Sequence, residues 1–118
     1  MPSDQSGQAL RDILENARLA RSFITGLDGE TFAADRRSVY AVTRCLEIIS
    51  EASRRLDQSI RDRYPTLPWR AIMGAGNVYR HDYDNVAEDQ LWRTVNESLV
   101  TLIAVIEQEL GGQTGDRT

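Results

Sequence analysis

Apolar residues recur at three- and four-residue steps along most of the chain, and this spacing limits the possible folds more than any other feature. Such steps place side chains on one face of an α-helix. Four helices are predicted, over residues 8–25, 35–60, 69–80 and 87–110. No segment shows the strict alternation that is typical of a β-strand. The sequence therefore predicts an all-α fold, an up-and-down bundle of four main helices.

Each long predicted helix carries one apolar stripe. The first stripe consists of Leu10, Ile13, Leu14, Ala17, Ala20 and Ile24. The second consists of Val39, Val42, Leu46, Ile49, Ser53 and Leu56. The last helix contributes Leu91, Val95, Leu99, Leu102, Ile106 and Leu110, and its face is broadened by Val100, Ile103 and Val105. A face so wide on so short a chain predicts burial on two sides, so we expect a partner chain.

Glycine, aspartate and proline mark the predicted helix ends. Gly26 is expected to cap the first helix, because glycine accepts the left-handed conformation that helix ends often need. Asp28 is expected to cap a short turn that places Phe32 in the core. Pro65 and Pro68 disfavour helix in the residues before them, so the second helix stops there. Pro68 is also well placed to start the third helix.

The chain length of 118 residues and its 41% apolar content fit one domain with a modest core. We predict that this domain covers residues 8–110. Gly111 and Gly112 are expected to end the last helix, leaving residues 1–7 and 111–118 as flexible tails. The N-terminus lacks the apolar run of a signal peptide, and no segment approaches the ~20 apolar residues that span a bilayer. A single cysteine fits a reducing compartment, so a cytoplasmic protein is expected, without a membrane partner.

The basic residues are unusual in kind, because all 14 are arginine. The net charge of −4 argues against loose, long-range attraction to nucleic acid, which depends on neutralising phosphates. A local arginine cluster could still bind a phosphate through bidentate contacts. A GC-rich genome would also explain the absence of lysine, and the sequence alone leaves both interpretations open.

The only histidine, His81, lies in the polar stretch "GNVYRHDYDNV" at residues 76–86. Its ordinary pKa near 6.5 suits general acid–base catalysis, although a lone histidine beside a turn is often only a surface or capping residue. If the third helix continues to His81, then Arg70, Gly74 and Asn77 share its face. Tyr83 is expected to lie exposed in the turn that follows.

Neither a metal site nor a cysteine nucleophile is predicted. Asp82 and Asp84 beside His81 are too few and too generic for metal binding, and a helix-capping role suits them better. Cys45 neighbours an apolar stripe position, so we expect a packed thiol rather than a partner of His81. The sequence contains no phosphate-binding or dinucleotide-binding glycine motif, and no cofactor is expected.

Three stretches together resemble the HepT-like branch of the HEPN superfamily. "TFAADRRSVYAVTRCLEIISEASRRL" at 31–56 resembles the second helix of that family. "YPTLPWRAIMGAGNVYRHDYDNV" at 64–86 resembles its P-x-(I/L)-P-W segment and its His-x-Tyr motif. "LWRTVNESLVTLIAVIEQEL" at 91–110 resembles its closing helix. The resemblance covers roughly residues 8–110 and preserves the spacing between the stretches.

The resemblance implies a homodimeric helical bundle that acts as a metal-independent ribonuclease toxin. It also implies a type VII-like toxin–antitoxin pair, in which a small nucleotidyltransferase antitoxin transfers AMP to the tyrosine of His-x-Tyr. The matching tyrosine here is Tyr83. An added phosphate at this position would repel the phosphates of RNA.

The chain departs from the family motif because it lacks the motif arginine. In the motif, four to six residues separate an arginine from His-x-Tyr, and Gly76, Ala75 and Gly74 occupy the corresponding arginine positions here. His81 is then expected to act as general base and acid, and Asn77 to orient the substrate. Arg80, or failing that Arg44, is expected to stabilise the phosphate. The alternative is an inactive dimer that binds a nucleotidyltransferase or a nucleotide, because Gly76 stands where the arginine is most often found.

Overall fold

A computed structural model of the protein describes residues 4–74 and 85–114. In that part every regular element is helical, which confirms the predicted all-α fold. The elements are α1 (Asp4–Phe23), α2 (Gly29–Ala34), α3 (Arg36–Arg54), α4 (Gln58–Arg63), α5 (described over 69–74), α6 (Asn85–Arg93), a π-helical turn (Thr94–Ser98) and α7 (Leu99–Thr114). None of the described helices is long and apolar enough to cross a membrane.

The core lies where α1 packs along α3 and α7. The predicted stripes of α1 and α3 are buried there, with only Leu14 and Val39 half-buried. Helix α1 begins at Asp4, four residues before the predicted start, and its Ser6 is fully buried. Full burial of each large apolar side chain contributes about 1.5–3 kcal/mol. Pairing of amphipathic faces therefore stabilises this bundle.

The connection from α1 to α2 follows the predicted chemistry. Gly26 adopts the left-handed conformation, with φ of 82°, in the turn after α1. Asp28 caps α2 in a reciprocal arrangement: its Oδ1 accepts from the backbone N–H of Thr31 at 2.8 Å, and its own N–H donates to Thr31 Oγ1 at 2.9 Å. Phe32 is fully buried against Trp92 of α6, with ring centroids 5.4 Å apart. The predicted roles of Asp28 and Phe32 are confirmed, whereas Gly26 lies three residues beyond the end of α1.

The prediction of one continuous helix over 35–60 is wrong, because α3 ends at Arg54 and the chain turns before α4. Two groups stabilise the turn. The Arg61 guanidinium donates to the carbonyls of Ser53 and Leu56 at 3.1 and 3.2 Å, and the Asp57 N–H donates to the buried Ser6 Oγ at 2.9 Å. The turn lets Leu56 and Ile60 both face the core, at 4% and 1% exposure. Hydrogen bonds from the nearby Arg61 and one long-range bond to Ser6 therefore stabilise this break.

A π-helical turn joins α6 to α7. Leu91, Val95 and Leu99 are all buried although they are spaced by two four-residue steps. In a regular α-helix of 3.6 residues per turn, two such steps would rotate the stripe by about 80°. The Leu99 N–H bonds instead to the carbonyl of Thr94, five residues earlier, which widens the turn and keeps the stripe aligned. Arg21 of α1 donates to the Val95 carbonyl at 3.2 Å and ties this turn to the first helix.

The last helix is longer at both ends than the predicted range 87–110. It begins at Asn85 and continues to Thr114, so the expectation that Gly111 and Gly112 end it is wrong. Glycine costs a helix only about 1 kcal/mol relative to alanine, which disfavours helix without forbidding it. On the broad face of α7, Val100 is 45% exposed whereas Ile103 and Val105 are half-buried. The domain limits 8–110 and the homodimer stay predictions.

An ion pair between α1 and α3 makes stability depend on pH. Arg55 Nη2 lies 3.0 Å from Asp12 Oδ2, and Gln8 donates to Asp12 Oδ1 at 2.9 Å. Burial acts to raise the pKa of Asp12, but the hydrogen bonds from Gln8 and Arg55 outweigh it and hold that pKa below 3.8. A carboxylate with a lowered pKa stabilises the fold above its unfolded pKa, and this contribution is lost as the pH falls through the folded pKa.

Asp12→Asn is therefore expected to lower the free energy of unfolding at pH 7 by at most about 1 kcal/mol, since the pair is partly exposed. The deficit should shrink as the pH falls below 3.8 and Asp12 becomes protonated in the wild type. Urea unfolding at pH 7 and over this acidic range measures the deficit. Asp62→Asn is the matched control, because Asp62 accepts from Gln58 at the same i, i+4 spacing and forms none of the ion pairs found in the described residues. An equal deficit in both variants would contradict the assignment to Arg55.

Candidate active site

Most of the predicted site residues fall in one segment. Asn77, Arg80, His81 and Tyr83, together with the motif position Gly76, lie at 75–84, outside the described residues. Arg44 is the predicted site residue that the structure does describe. The structure therefore describes the surroundings of the site through the helices before and after this segment, α5 and α6.

The approach to the segment is fixed by α4, α5 and the turn between them. Trp69 is buried where α5 begins, and its Nε1 donates to the Tyr64 carbonyl at 3.1 Å across the proline turn. Pro68 precedes the first residue of α5, as predicted for a helix start. Ser50 of α3, 2% exposed, donates its hydroxyl to the Met73 carbonyl at 2.5 Å. This bond attaches the last described turn of α5 to the core helix.

A buried carboxylate attaches the proline turn between α4 and α5 to α7. Glu109 of α7 is 5% exposed and accepts from Arg63 Nη1 at 2.5 Å and from Tyr64 Oη at 2.8 Å. Burial, followed by the hydrogen bond to Glu109, raises the pKa of Tyr64, so this hydroxyl stays protonated and donates throughout the neutral range. The polar contacts hold α4 and the proline turn against α7.

A cleft of about 600 Å³ opens between these elements. Leu46 and Ile49 of α3 contribute to its apolar surface, together with Ile72 of α5. Polar groups from the last helices also line it: Gln90, Thr94, Glu97, Ser98 and Thr101. Gly74, the last described residue before the segment with His81, also lines it. A cleft lined by both apolar side chains and hydroxyl groups can hold a planar heterocycle and hydrogen-bond its edges.

The polar side of the cleft was not predicted from the sequence. Thr94, Glu97 and Ser98 belong to the π-helical turn, and such turns are frequent at functional sites. The signal was present: Thr94, Ser98 and Thr101 recur at four- and three-residue steps beside the apolar stripe. That polar row marks a second face of the same helix. The contact between Ser50 and Met73 had no comparable signal.

Arg44 lies on an exposed side of α3 and is not among the residues that line the cleft. Its side chain is 72% exposed, and its Nη1 lies 3.9 Å from Glu47 Oε1. Such a long, solvated ion pair contributes little to stability and can be exchanged for another anion. Arg44 is thus accessible to a phosphate, but the described residues do not join it to the cleft.

Cys45 is confirmed as a packed thiol. It is 4% exposed within the core, and burial raises the pKa of its thiol, which keeps it neutral. A nucleophilic role would need the thiolate. Among the described residues, no three histidine, cysteine, aspartate or glutamate side chains are grouped closely enough to hold a metal ion.

The comparison with known families decides the assignment. A family model described as "Ribonuclease HepT-like" matches residues 13–109, which include Arg44, Asn77, Arg80, His81 and Tyr83. The chain belongs to the HepT-like ribonuclease family. The predicted resemblance is thereby confirmed.

Two HepT-like relatives illustrate the extent of the similarity. A protein of Methanocaldococcus jannaschii named "Putative RNase MJ1380" is 35% identical over 98 residues, covering 83% of this chain and 90% of the relative. A protein of Thermococcus cleftensis named "Probable ribonuclease HepT" is 33% identical over 99 residues, covering 84% and 90% respectively. No solved structure matches the chain significantly.

Proposed function

We propose that this HepT-like chain is a metal-independent endoribonuclease, the toxin of a type VII-like toxin–antitoxin pair, acting as a cytoplasmic homodimer. The observation that carries the proposal is the family match over residues 13–109, which covers nearly the whole helical bundle. The only histidine of the chain, His81, lies within that match. Metal-free cleavage of RNA needs one group that titrates near neutral pH, and histidine is that group.

In the proposed reaction, His81 removes the proton from a ribose 2′-hydroxyl. The 2′-oxygen then attacks the adjacent phosphorus, and the bond to the 5′-oxygen of the next nucleotide breaks. That leaving oxygen takes up a proton, which the imidazolium form of His81 can supply. The products are a 2′,3′-cyclic phosphate and a 5′-hydroxyl, so atoms and charge balance without a metal ion.

Charge develops on the phosphate during the attack, and a guanidinium is suited to stabilise it. Gly76 occupies the position of the family arginine, so another arginine must supply this charge. Arg80 is the first candidate because it adjoins His81 in sequence. Arg44 is the second, and its exposed guanidinium with a weak partner at 3.9 Å supports that role. Asn77 is assigned to orienting the substrate.

The first experiment compares the purified wild type with Gly76→Arg on single-stranded RNA. The wild type is expected to cleave, and Arg80→Ala to lower its rate by about 10²- to 10³-fold if Arg80 stabilises the phosphate. Arg44→Ala is the matched variant for the second candidate. Cleavage by Gly76→Arg alone, with an inert wild type, would overturn the proposal.

That last result would instead support the alternative function, an inactive dimer that binds a nucleotidyltransferase or a nucleotide. The observation in favour of the alternative is the glycine at position 76. The two functions differ in one measurable property, since both keep the partner and the fold but only the first cuts RNA.

The partner proposed for either function is a small nucleotidyltransferase that transfers AMP to Tyr83. Co-expression of the two proteins with ATP is expected to raise the intact mass of this chain by one or more AMP units. For the ribonuclease, RNA cleavage should fall in parallel, because the added phosphate repels the substrate. Tyr83→Phe removes the hydroxyl and should abolish the mass shift. A shift that persists in Tyr83→Phe would contradict the assignment of the site.

A further inference from the structure

The most exposed large apolar side chain on α3 is an aromatic ring beside a guanidinium. Tyr40 is 64% exposed, well above the other exposed large apolar side chains among the described residues, which reach 45% at Val100. Arg36 Nη2 donates to Tyr40 Oη at 3.1 Å, and the Arg36 guanidinium carbon lies 5.8 Å from the ring centroid. One face of the helix therefore presents a preformed pair of a planar cation and a ring.

Two further arginines extend this pair along the helix. Arg37 precedes Tyr40 by three residues and Arg44 follows it by four, and all are exposed. At 100° per residue, Arg36, Arg37, Tyr40 and Arg44 fall within an arc of about 100° and span about 12 Å along the axis. We call these four residues the Arg–Tyr stripe. Its length matches about three nucleotides of a stacked strand at 3.4 Å each.

Three carboxylates lie near the stripe. Glu47 is 3.9 Å from Arg44, the charge of Glu88 acts on Arg36, and Asp35 interacts with the charge of Arg37. All three arginines are exposed, so these interactions are solvated and weak, and an incoming phosphate can replace them. A guanidinium binds phosphate oxygens in a bidentate manner, which compensates for the loss. The negative charge of the neighbouring carboxylates also weakens non-specific electrostatic binding of RNA.

We propose that the Arg–Tyr stripe binds single-stranded RNA, with one base stacked on Tyr40 and the flanking phosphates held by Arg36 and Arg37. This inference rests on the proposed ribonuclease function and specifies its substrate class. An exposed tyrosine stacks on the face of an unpaired base, whereas duplex RNA keeps those faces inside the helix. Arg44 is the last residue of the stripe. It is also a candidate to stabilise the scissile phosphate, so the test does not change this residue.

The test measures binding of a short single-stranded 2′-O-methyl RNA by fluorescence anisotropy, because the methyl group blocks cleavage. Tyr40→Ala is expected to weaken binding by about tenfold, the typical effect of losing one base–aromatic stack. Tyr40→Phe keeps the ring and should bind nearly as well as the wild type. Arg36→Gln should weaken binding and reduce its dependence on salt concentration.

Arg54→Gln is the matched control for charge. Arg54 lies on the same helix, is also exposed, and has a carboxylate partner three residues away, Glu51 at 3.5 Å. It lies about 15 Å along the helix axis beyond Arg44, outside the stripe, and should leave binding of a short RNA unchanged.

Equal binding by Tyr40→Ala and the wild type, with RNA cleavage intact, would overturn the stripe and leave the ribonuclease function standing. A wild type that neither binds nor cleaves RNA would overturn both. A Tyr40→Ala variant with an altered mass by light scattering and unaltered RNA affinity would show that this face joins two copies of the chain, which also contradicts the proposal.

Discussion

His81→Ala protein is expected to cleave RNA about 10²- to 10⁴-fold more slowly than the wild type, the range for loss of a general acid–base group. No other histidine is present to replace it. Carboxyl groups titrate well below neutral pH and arginine well above it, so they transfer protons inefficiently at pH 7. Initial rates on a labelled single-stranded RNA measure the effect.

Further measurements distinguish a catalytic role of His81 from a structural role. The circular dichroism spectrum and melting temperature of His81→Ala should match those of the wild type. The wild-type rate should rise and fall with pH around the histidine pKa, and the residual rate of the variant should lack that profile. An unchanged rate in His81→Ala would remove His81 from the mechanism.

Phe32→Ala should lower the free energy of unfolding by about 3–5 kcal/mol, the usual cost of truncating a fully buried aromatic side chain. Phe32 has no exposed surface, and its ring contacts Trp92 at a centroid distance of 5.4 Å. The Phe32 ring joins α2 to α6, so its truncation would open a cavity between these two helices. For a domain with a total stability of about 5–15 kcal/mol, this is a large fraction. Urea unfolding monitored by circular dichroism measures it.

Phe23→Ala is the control for the same change of side chain. Phe23 is 39% exposed at the end of α1, and its truncation should cost about 1 kcal/mol or less, as for most surface substitutions. If both variants lose the same stability, burial of Phe32 does not explain its contribution.

The parts of the fold that could be predicted are those that one helix face determines. Burial of a three- and four-residue stripe requires a helix, so the positions of α1, α3 and α7 and the buried residues Ile13, Leu46 and Ile106 followed from spacing. Capping by Asp28 also followed, because its partner Thr31 is only three residues away. Local chemistry was sufficient in both cases.

The parts that were mispredicted depend on contacts between distant residues. The break after Arg54 is stabilised by Ser6, fifty-one residues from its partner Asp57. By contrast, the continuation of α7 past Gly111 has a local reason, since glycine costs a helix only about 1 kcal/mol relative to alanine. The π-helical turn could have been inferred from the two four-residue steps between Leu91 and Leu99, and the interpretation as a regular helix overlooked that drift.

The candidate site also has parts that could be predicted from the sequence and parts that could not. His81, Tyr83 and Asn77 could be named from a short motif, since the chemistry of the residue types is visible in sequence, and their roles stay predictions. The cleft beside Gly74 could not be named, because Ile49 and Thr101 line the same cleft only in the folded chain. The Arg–Tyr stripe required knowledge of the exposed fraction of Tyr40.

The most direct test of metal-independent cleavage by a 2′-hydroxyl is one assay on two matched RNAs in the presence of EDTA. The wild-type protein is expected to cut the unmodified RNA, leaving a 2′,3′-cyclic phosphate and a 5′-hydroxyl. It should leave the fully 2′-O-methylated RNA of the same sequence intact. Cleavage of the methylated RNA, or cleavage that appears only when Mg²⁺ replaces EDTA, would contradict the account.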